Sequence, residues 1–364
     1  MSAIRVIVRI PTPPSGAYPI VIQNGLLARL HALVPPRRYA VIADTRVAGL
    51  WGRRVIANLR AHGIDAGLVT FPGGERSKTR EMKARIEDRM FQDLYDRSAG
   101  IIALGGGVTG DLAGFVAATY MRGIPFVQVP TTLLAHIDSS IGGKTAVNTP
   151  LGKNLVGAFA QPEAVLIDTA TLRTLPRRAV LDGMAEIIKH AVIRSRTMFI
   201  ELERNMDAIV DTRSGYPMGR LIAQNCRIKA AVVMADEKEG DVRRVLNFGH
   251  TIGHAVETFS KGRLSHGEAV AIGMAVECRI AAMLGLWRPG DAARAIALIQ
   301  QAGLPFRLPP RFPGPAILAQ TRHDKKSIGG TVTYALPDRI GNCRHGIKVD
   351  DRTVRAALAT HPRG

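Results

Sequence analysis

Three histidines and one glutamate in the second half of the chain have the side chains and the spacing of a metal site. His250 and His254 are spaced i, i+4, which places them one turn apart on one face of a helix, and His266 follows a short loop. Glu186 lies on an otherwise apolar helical segment, one turn from Lys189. A buried carboxylate needs a partner, and a divalent cation is a common one. We therefore predict a metal site, and the spacing fits either the i, i+4 pair or a pair drawn from both sides of the loop.

A glycine-rich turn in the first half predicts a nucleotide site. Residues 105–111 read Gly-Gly-Gly-Val-Thr-Gly-Asp and stand between a strand pattern and a helix pattern. Glycines let the backbone approach a pyrophosphate, and a helix N-terminus favours its negative charge. The alternative is a tight turn that packs the helix on the sheet. No acid lies at the end of the next strand, so Asp44 is the candidate ribose contact, and a second glycine turn at 73–78 could also reach the nucleotide.

Polar loops further along the chain carry candidate anion ligands. Thr131 and Thr132 end the strand after the glycine turn, and ligands of open α/β sheets collect beyond such strand ends. Residues 138–144 and 152–154 place an acid and two lysines among glycines, which suits a compact anion such as phosphate or carboxylate. They do not form a Walker A motif, because the upstream glycine is missing. An ordinary polar loop is the alternative.

The elements that must position these residues differ between the two halves of the chain. The first half alternates helical patterns with short apolar runs typical of buried parallel strands, at 39–44, 66–71, 100–104, 125–129 and 164–168. The second half has long helical patterns near 178–193, 217–236, 250–260, 267–286 and 290–302, and a short strand pair near 331–348. We predict an α/β domain with a parallel sheet over 1–175 and a mainly helical domain over 176–364.

Composition excludes several classes of protein. The net charge of +19 is typical of polyanion binders, but the excess lies in residues 1–60 and 301–364, and no recognition motif accompanies it, which argues against nucleic-acid binding. Asp111, Glu277 and Arg279 interrupt the two most apolar windows, so we expect no membrane span. Three widely spaced cysteines without a CxxC pair argue against a disulfide framework and favour a cytoplasmic location.

Taken together, these residues resemble the 3-dehydroquinate synthase family within the sugar-phosphate cyclases. The likeness rests on motifs in one order along the chain: the 105–111 turn, 138–144, 152–154, Glu186-Ile-Ile-Lys189, Lys229, Asp236-Glu-Lys-Glu239, Arg243, 246–254 and His266-Gly-Glu268. The resemblance implies an NAD-binding first domain and a second domain that holds Zn²⁺, or Co²⁺, through Glu186, His250 and His266. It also implies conversion of 3-deoxy-D-arabino-heptulosonate 7-phosphate into 3-dehydroquinate and phosphate in the shikimate pathway of aromatic amino acid biosynthesis.

The resemblance also assigns roles to individual residues and implies a homodimer. Catalytic roles fall on Asp138, Lys189, Lys229, Glu239 and His254, and the last of these is then not a metal ligand. Substrate binding falls on Arg122, which would reach into the neighbouring subunit's site, and on Lys144, Asn154, Arg243, Asn247, Lys325 and Lys326. NAD contacts fall on Asp44, Glu75, Lys78, Gly106, Gly107, Val108, Thr109, Gly110, Asp111, Thr131, Thr132, Lys144, Lys153, Thr171, Leu172, Arg173 and Thr174.

Two related activities are the alternatives. A cyclase that uses sedoheptulose 7-phosphate would share the fold and the metal, but its substrate lacks the carboxylate that Arg243 and Asn247 suit. A metal-dependent polyol dehydrogenase would release NADH, whereas a cyclase regenerates NAD⁺ in each turnover.

Overall fold

The computed structural model describes residues 3–10, 16–322 and 332–359. The chain forms two compact units. Unit 1 comprises Met1–Leu175 and Pro217–Met234, and unit 2 comprises Pro176–Tyr216 and Ala235–Gly364. The helix that carries Lys229 therefore belongs to unit 1, although it comes from the helical half of the sequence.

Unit 1 is built on a seven-stranded sheet. Its strands are β1 (Ile4–Arg9), β2 (Ala17–Gln23), β3 (Tyr39–Asp44), β4 (Ala66–Phe71), β5 (Gly100–Gly105), β6 (Phe126–Pro130) and β9 (Ala164–Asp168). The order is β1-β2-β9-β6-β5-β3-β4, and every neighbouring pair is parallel except β1 with β2. The five predicted strands are confirmed. Strands β1 and β2 were not predicted, because their alternating burial lacks the continuous apolar run of the central strands.

Helices and a hairpin surround this sheet. The helices of unit 1 are α1 (Thr45–Val47), α2 (Arg53–Ala61), α3 (Arg80–Gln92), α4 (Gly107–Thr119) and α7 (Met218–Ala235). Apolar clusters cover both sheet faces, one built on Val41, Leu104 and Val129 and the other on Ile42, Ile101 and Phe126. The candidate anion-binding segments 138–144 and 152–154 lie in a π-helical turn, Ala135–Ser139, and in the antiparallel hairpin that follows it, β7 (Lys144–Thr149) and β8 (Gly152–Phe159).

Unit 2 is mainly helical, as predicted. Its helices are α5 (Arg177–Arg194), α6 (Arg196–Val210), α8 (His250–Ser260), α9 (His266–Met283), α10 (Pro289–Gln301), α11 (Gly314–Thr321) and α12 (Asp351–Ala359). The predicted strand pair is the hairpin of β10 (Thr333–Arg339) and β11 (Asn342–Lys348). Helix α6 was not predicted, although Ser195 caps it through the Met198 N–H.

Two further expectations concern cysteines and membranes. All three cysteines are free and buried. In the described part of the chain, none of the helices combines the length and the apolar character needed to cross a membrane.

Candidate functional site

A buried carboxylate on α5 is the centre of the predicted metal site. Glu186 is 0% exposed, and the Nζ of Lys189, one turn further, forms an ion pair with its Oε2. Burial raises the pKa of Glu186, but the Lys189 ammonium and the His250 imidazole outweigh burial and hold that pKa well below its usual range. Neither carboxylate oxygen accepts a hydrogen bond of good geometry from the described residues. An ionised carboxylate with unused lone pairs is what a divalent cation requires.

Two histidines at the starts of two helices complete this group. His250 is the first residue of α8 and His266 is the first residue of α9. Their Nε2 atoms lie 3.4 Å and 3.5 Å from Oε1 of Glu186. The three possible ligand atoms all lie within 4.8 Å of one another. One carboxylate and two imidazoles make a three-ligand set, which leaves a zinc ion open positions for a substrate. The residues therefore fit the predicted ion.

Hydrogen bonds on the far side of each imidazole fix its orientation. Nδ1 of His250 lies 3.1 Å from the Phe248 carbonyl oxygen, and Nδ1 of His266 lies 3.2 Å from Oε2 of Glu257. Partners of this kind direct the other ring nitrogen at a metal and raise its basicity. Sequence analysis did not assign Glu257 a role. Its signal was a carboxylate seven residues after His250, on the same helical face.

The two imidazoles have opposite pKa shifts. Burial lowers the pKa of His250 to about 3, with help from the Lys189 charge. Burial also lowers the pKa of His266, but the nearby carboxylates of Glu186 and Glu257 outweigh burial and raise it to about 10. Without an ion, His266 supplies the proton that partly balances the two carboxylates.

His254 is also near this cluster. Its ring centroid lies 5.2 Å from that of His250 and 6.2 Å from that of His266. His254, Glu257 and His266 form a second group close enough to share an ion. In that group Glu257 already accepts a hydrogen bond from His266, whereas both oxygens of the buried Glu186 lack one. This difference favours the group built on Glu186.

Three other unit 2 residues with predicted roles, Glu239, Arg243 and Asn247, lie on one ordered segment. Asp236 accepts the backbone N–H groups of Gly240, Asp241 and Arg243 at 2.7–3.0 Å, which fixes the turn between them. The turn holds Glu239 at φ +62°, in the left-handed region that favours glycine. Arg243 is buried and donates from Nη1 to the Glu237 carbonyl, while Asn247 is half-buried at the end of the same segment. Lys325 and Lys326 lie outside the described residues.

The glycine turn of unit 1 joins β5 to α4 as predicted. Gly106 precedes the first residue of α4, and no side chain in the described chain caps that helix end. A Cβ at Gly110 would meet Oε1 of Gln128 at 2.8 Å, and one at Gly106 would meet Cγ2 of Thr132 at 3.0 Å. Gly110 therefore serves the packing of α4 on the sheet. Val108 and Thr109 lie in the first turn of α4, half-buried and buried respectively.

Polar residues at the neighbouring strand ends form a connected network. Lys78 is buried, forms an ion pair with Asp111 and donates to Oδ1 of Asn154. Burial raises the pKa of Asp111, against the opposing effect of Lys78. Asn154 is held at φ +54°. The structure thus brings the second glycine turn, the end of the first one and the β7–β8 hairpin together within unit 1.

Other predicted nucleotide contacts line the same strand ends. Asp44 caps α1 through the Arg46 and Val47 N–H groups, and Glu75 accepts from Asn148 at 2.8 Å. The Thr132 hydroxyl accepts the Ala135 N–H at 3.2 Å. Several of the remaining residues are exposed, namely Lys144, Lys153, Arg173 and Thr174, while Thr131, Thr171 and Leu172 are buried.

A second acid–ammonium pair lies in unit 1. Asp138 on the Ala135–Ser139 π-turn forms an ion pair with Lys229 of α7, although 91 positions separate them in the chain. Cys226, one turn earlier on α7, donates to the His136 carbonyl at 3.3 Å and fixes the helix against the turn.

The predicted intersubunit residue, Arg122, is exposed and held at φ +69°.

Comparisons with known proteins identify the family to which these features belong. Two family models match in succession, "3-dehydroquinate synthase N-terminal" over residues 68–182 and "3-dehydroquinate synthase C-terminal" over residues 183–327. A 3-dehydroquinate synthase of Pelotomaculum thermopropionicum is 48% identical over 330 residues, which are 89% of each chain.

Solved structures share the fold over nearly the whole chain. The 2-epi-5-epi-valiolone synthase ValA of Streptomyces hygroscopicus, with NAD⁺ and Zn²⁺ bound, superposes with a TM-score of 0.88 at 31% identity, over 96% of this chain and 98% of its own. A 2-deoxy-scyllo-inosose synthase with carbaglucose-6-phosphate, NAD⁺ and Co²⁺ superposes with a TM-score of 0.87 at 26% identity, over 98% and 99%.

Proposed function

The chain belongs to the 3-dehydroquinate synthase family, and we propose that it converts 3-deoxy-D-arabino-heptulosonate 7-phosphate into 3-dehydroquinate and phosphate. The observation that carries the proposal is the buried Glu186 carboxylate, with two helix-terminal imidazoles in contact with it and no hydrogen bond of its own among the described residues. Glu186, His250 and His266 would hold the ion, and the strand ends of unit 1 would hold NAD. When bound, the ion supplies Lewis acidity toward a substrate hydroxyl and NAD supplies reversible hydride acceptance.

The chain's own residues bind and orient the substrate. Arg243 takes the carboxylate, because its buried guanidinium, held by the Glu237 carbonyl, is a rigid fork of donors that matches a carboxylate. Asp138 and Lys229 form a pair within unit 1 that can accept and donate hydrogen bonds at the reacting hydroxyls. From the family likeness we also assign catalytic roles to Lys189, Glu239 and His254. Phosphate is bound by Lys144, Asn154, Asn247, His254, Lys325 and Lys326.

The functional form is a homodimer, with Arg122 acting in the partner's site. Its left-handed conformation on an exposed turn supports a role beyond packing, because strain of this kind persists where function requires it. Mixing Arg122→Ala with His250→Ala chains tests the proposal. Mixed dimers have one complete site, so about a quarter of the wild-type rate should return. Two inactive variants that stay inactive after subunit exchange would contradict an intersubunit role.

The activity test offers three readouts on one purified enzyme. With NAD⁺ and Zn²⁺, the heptulosonate phosphate should release phosphate without net accumulation of NADH. Sedoheptulose 7-phosphate, offered in parallel, should release much less phosphate, because this substrate has no carboxylate to pair with the buried Arg243. Phosphate release from sedoheptulose 7-phosphate alone would identify a different cyclase, and net NADH formation would identify a dehydrogenase. The free, buried cysteines suit the reducing cytoplasm in which we place the reaction.

A further inference from the structure

We propose that Glu277, a carboxylate outside the ligand set, is a positioning residue that holds His250 in its metal-binding orientation. Glu277 lies in the middle of α9 and is 0% exposed. Its Oε2 accepts the N–H of Gly249 at 2.6 Å, and its Oε1 accepts the N–H of Ile252 at 3.2 Å. Both donors belong to the start of α8, on either side of His250.

The position of Glu277 depends on close packing between α8 and α9. Gly249 has φ +79°, and a Cβ there would approach Val270 O and Met274 N at 3.1 Å. A Cβ at Gly253 would lie 3.0 Å from the Val270 Cα. The two backbones are therefore in contact, and a side chain of α9 can reach the first turn of α8.

The hydrogen bonds of Glu277 act on the imidazole through the backbone. A carboxylate at a helix N-terminus is stabilised by the unpaired N–H groups and by the helix dipole, so it fixes that end of α8 firmly. The same turn contains the Phe248 carbonyl, which holds Nδ1 of His250. With Nδ1 engaged, Nε2 is the nitrogen that faces Glu186. The hydrogen bonds of Glu277 thus fix the position of the Phe248 carbonyl, and that carbonyl fixes the direction of the His250 Nε2 atom.

This inference rests on the metal centre of the proposed function, and its test measures metal affinity rather than turnover. Glu277→Gln keeps the size of the side chain but turns an NH₂ group toward a backbone N–H, so one of the two hydrogen bonds is lost. The matched control is Asp168→Asn. Asp168 is also buried and also caps backbone groups, those of Gly25, Leu27 and Ala170, but it lies in unit 1.

Zinc affinity is measured by competition with a chromophoric chelator, and unfolding of the metal-free proteins by urea. Glu277→Gln should bind Zn²⁺ about 10- to 100-fold more weakly, the range seen for partners that orient a ligand, and its Co²⁺ complex should show an altered visible spectrum. Asp168→Asn should lose stability and keep its zinc affinity. If Glu277→Gln does not fold, Glu277→Asp, which retracts the charge by one methylene, is judged by the same criteria.

Two results separate the failures of the two proposals. Wild-type protein that binds neither Zn²⁺ nor Co²⁺ would refute the metal centre itself. Wild-type protein that binds Zn²⁺, together with a destabilised Glu277 variant whose zinc affinity stays within twofold and whose Co²⁺ spectrum is unchanged, would refute only the positioning role.

Discussion

Replacing Lys189 by methionine should destabilise the metal-free protein and make it more dependent on zinc. Lys189 and Glu186 are 2% and 1% exposed at the side chain, so the ammonium is the nearest compensation for a carboxylate that water does not reach. Removing one partner of such a buried pair costs about 3–5 kcal/mol, because the remaining charge stays desolvated. A bound zinc ion supplies the missing positive charge without repulsion from the lysine.

Urea unfolding with and without Zn²⁺ measures both effects. Zinc at a hundred times its dissociation constant should add about 2.7 kcal/mol to wild type, and the same concentration should add more to Lys189→Met because its affinity is higher. The double variant Glu186→Gln/Lys189→Met is the control, since it removes both charges of the pair and should recover most of the loss. A metal-free Lys189→Met protein within about 1 kcal/mol of wild type, or equal stabilisation of both by zinc, would refute this account of the pair.

Three other predictions concern the metal, the carboxylate pocket and pH. His250→Ala should lose stoichiometric zinc, measured by metal analysis after dialysis, and with it all turnover; retained zinc would move the site to His254, Glu257 and His266. Arg243→Lys should raise KM for the heptulosonate phosphate far more than it lowers kcat, because it removes a fork-shaped donor; an unchanged KM would place the carboxylate elsewhere. Burial lowers the pKa of His136 to about 4 from 6.5, so the unfolded chain binds a proton there before the folded one does, and stability should fall by about 3 kcal/mol as the pH drops from 6.5 to 4. His136→Gln should flatten that part of the urea-unfolding pH profile, and an unchanged slope would exclude His136 as its source.

Periodicity predicted the central strands and most of the long helices of this fold. The four central strands β3, β5, β6 and β9 read as continuous apolar runs because helices cover both sides of the sheet. β1 and β2 were not predicted because buried and partly exposed residues alternate along much of both strands. The β7–β8 hairpin escaped because its β8 strand is largely exposed and reads as a polar loop.

The sequence predicted some residues of the candidate site and failed to reveal others. Residue types and spacing were enough to select Glu186 and the histidines as candidate metal ligands, because few side chains bind a divalent ion and those in this chain are clustered. They did not reveal Glu257 as a partner of His266. They also presented Glu277 only as a charge interrupting an apolar window, since its partners are backbone N–H groups 25 and 28 positions away.

Residue types and local patterns were enough to predict which residues could bind an ion, a phosphate and a carboxylate, and which segments form the central strands and most of the long helices. Three features are visible only in the folded chain: Glu257 contacts His266, Lys229 pairs with Asp138, and a helix from the second half of the chain belongs to unit 1. The physical reason is that periodicity records which face of an element is buried. The identity of the groups that meet there depends on how separate elements pack, and no local pattern contains that information.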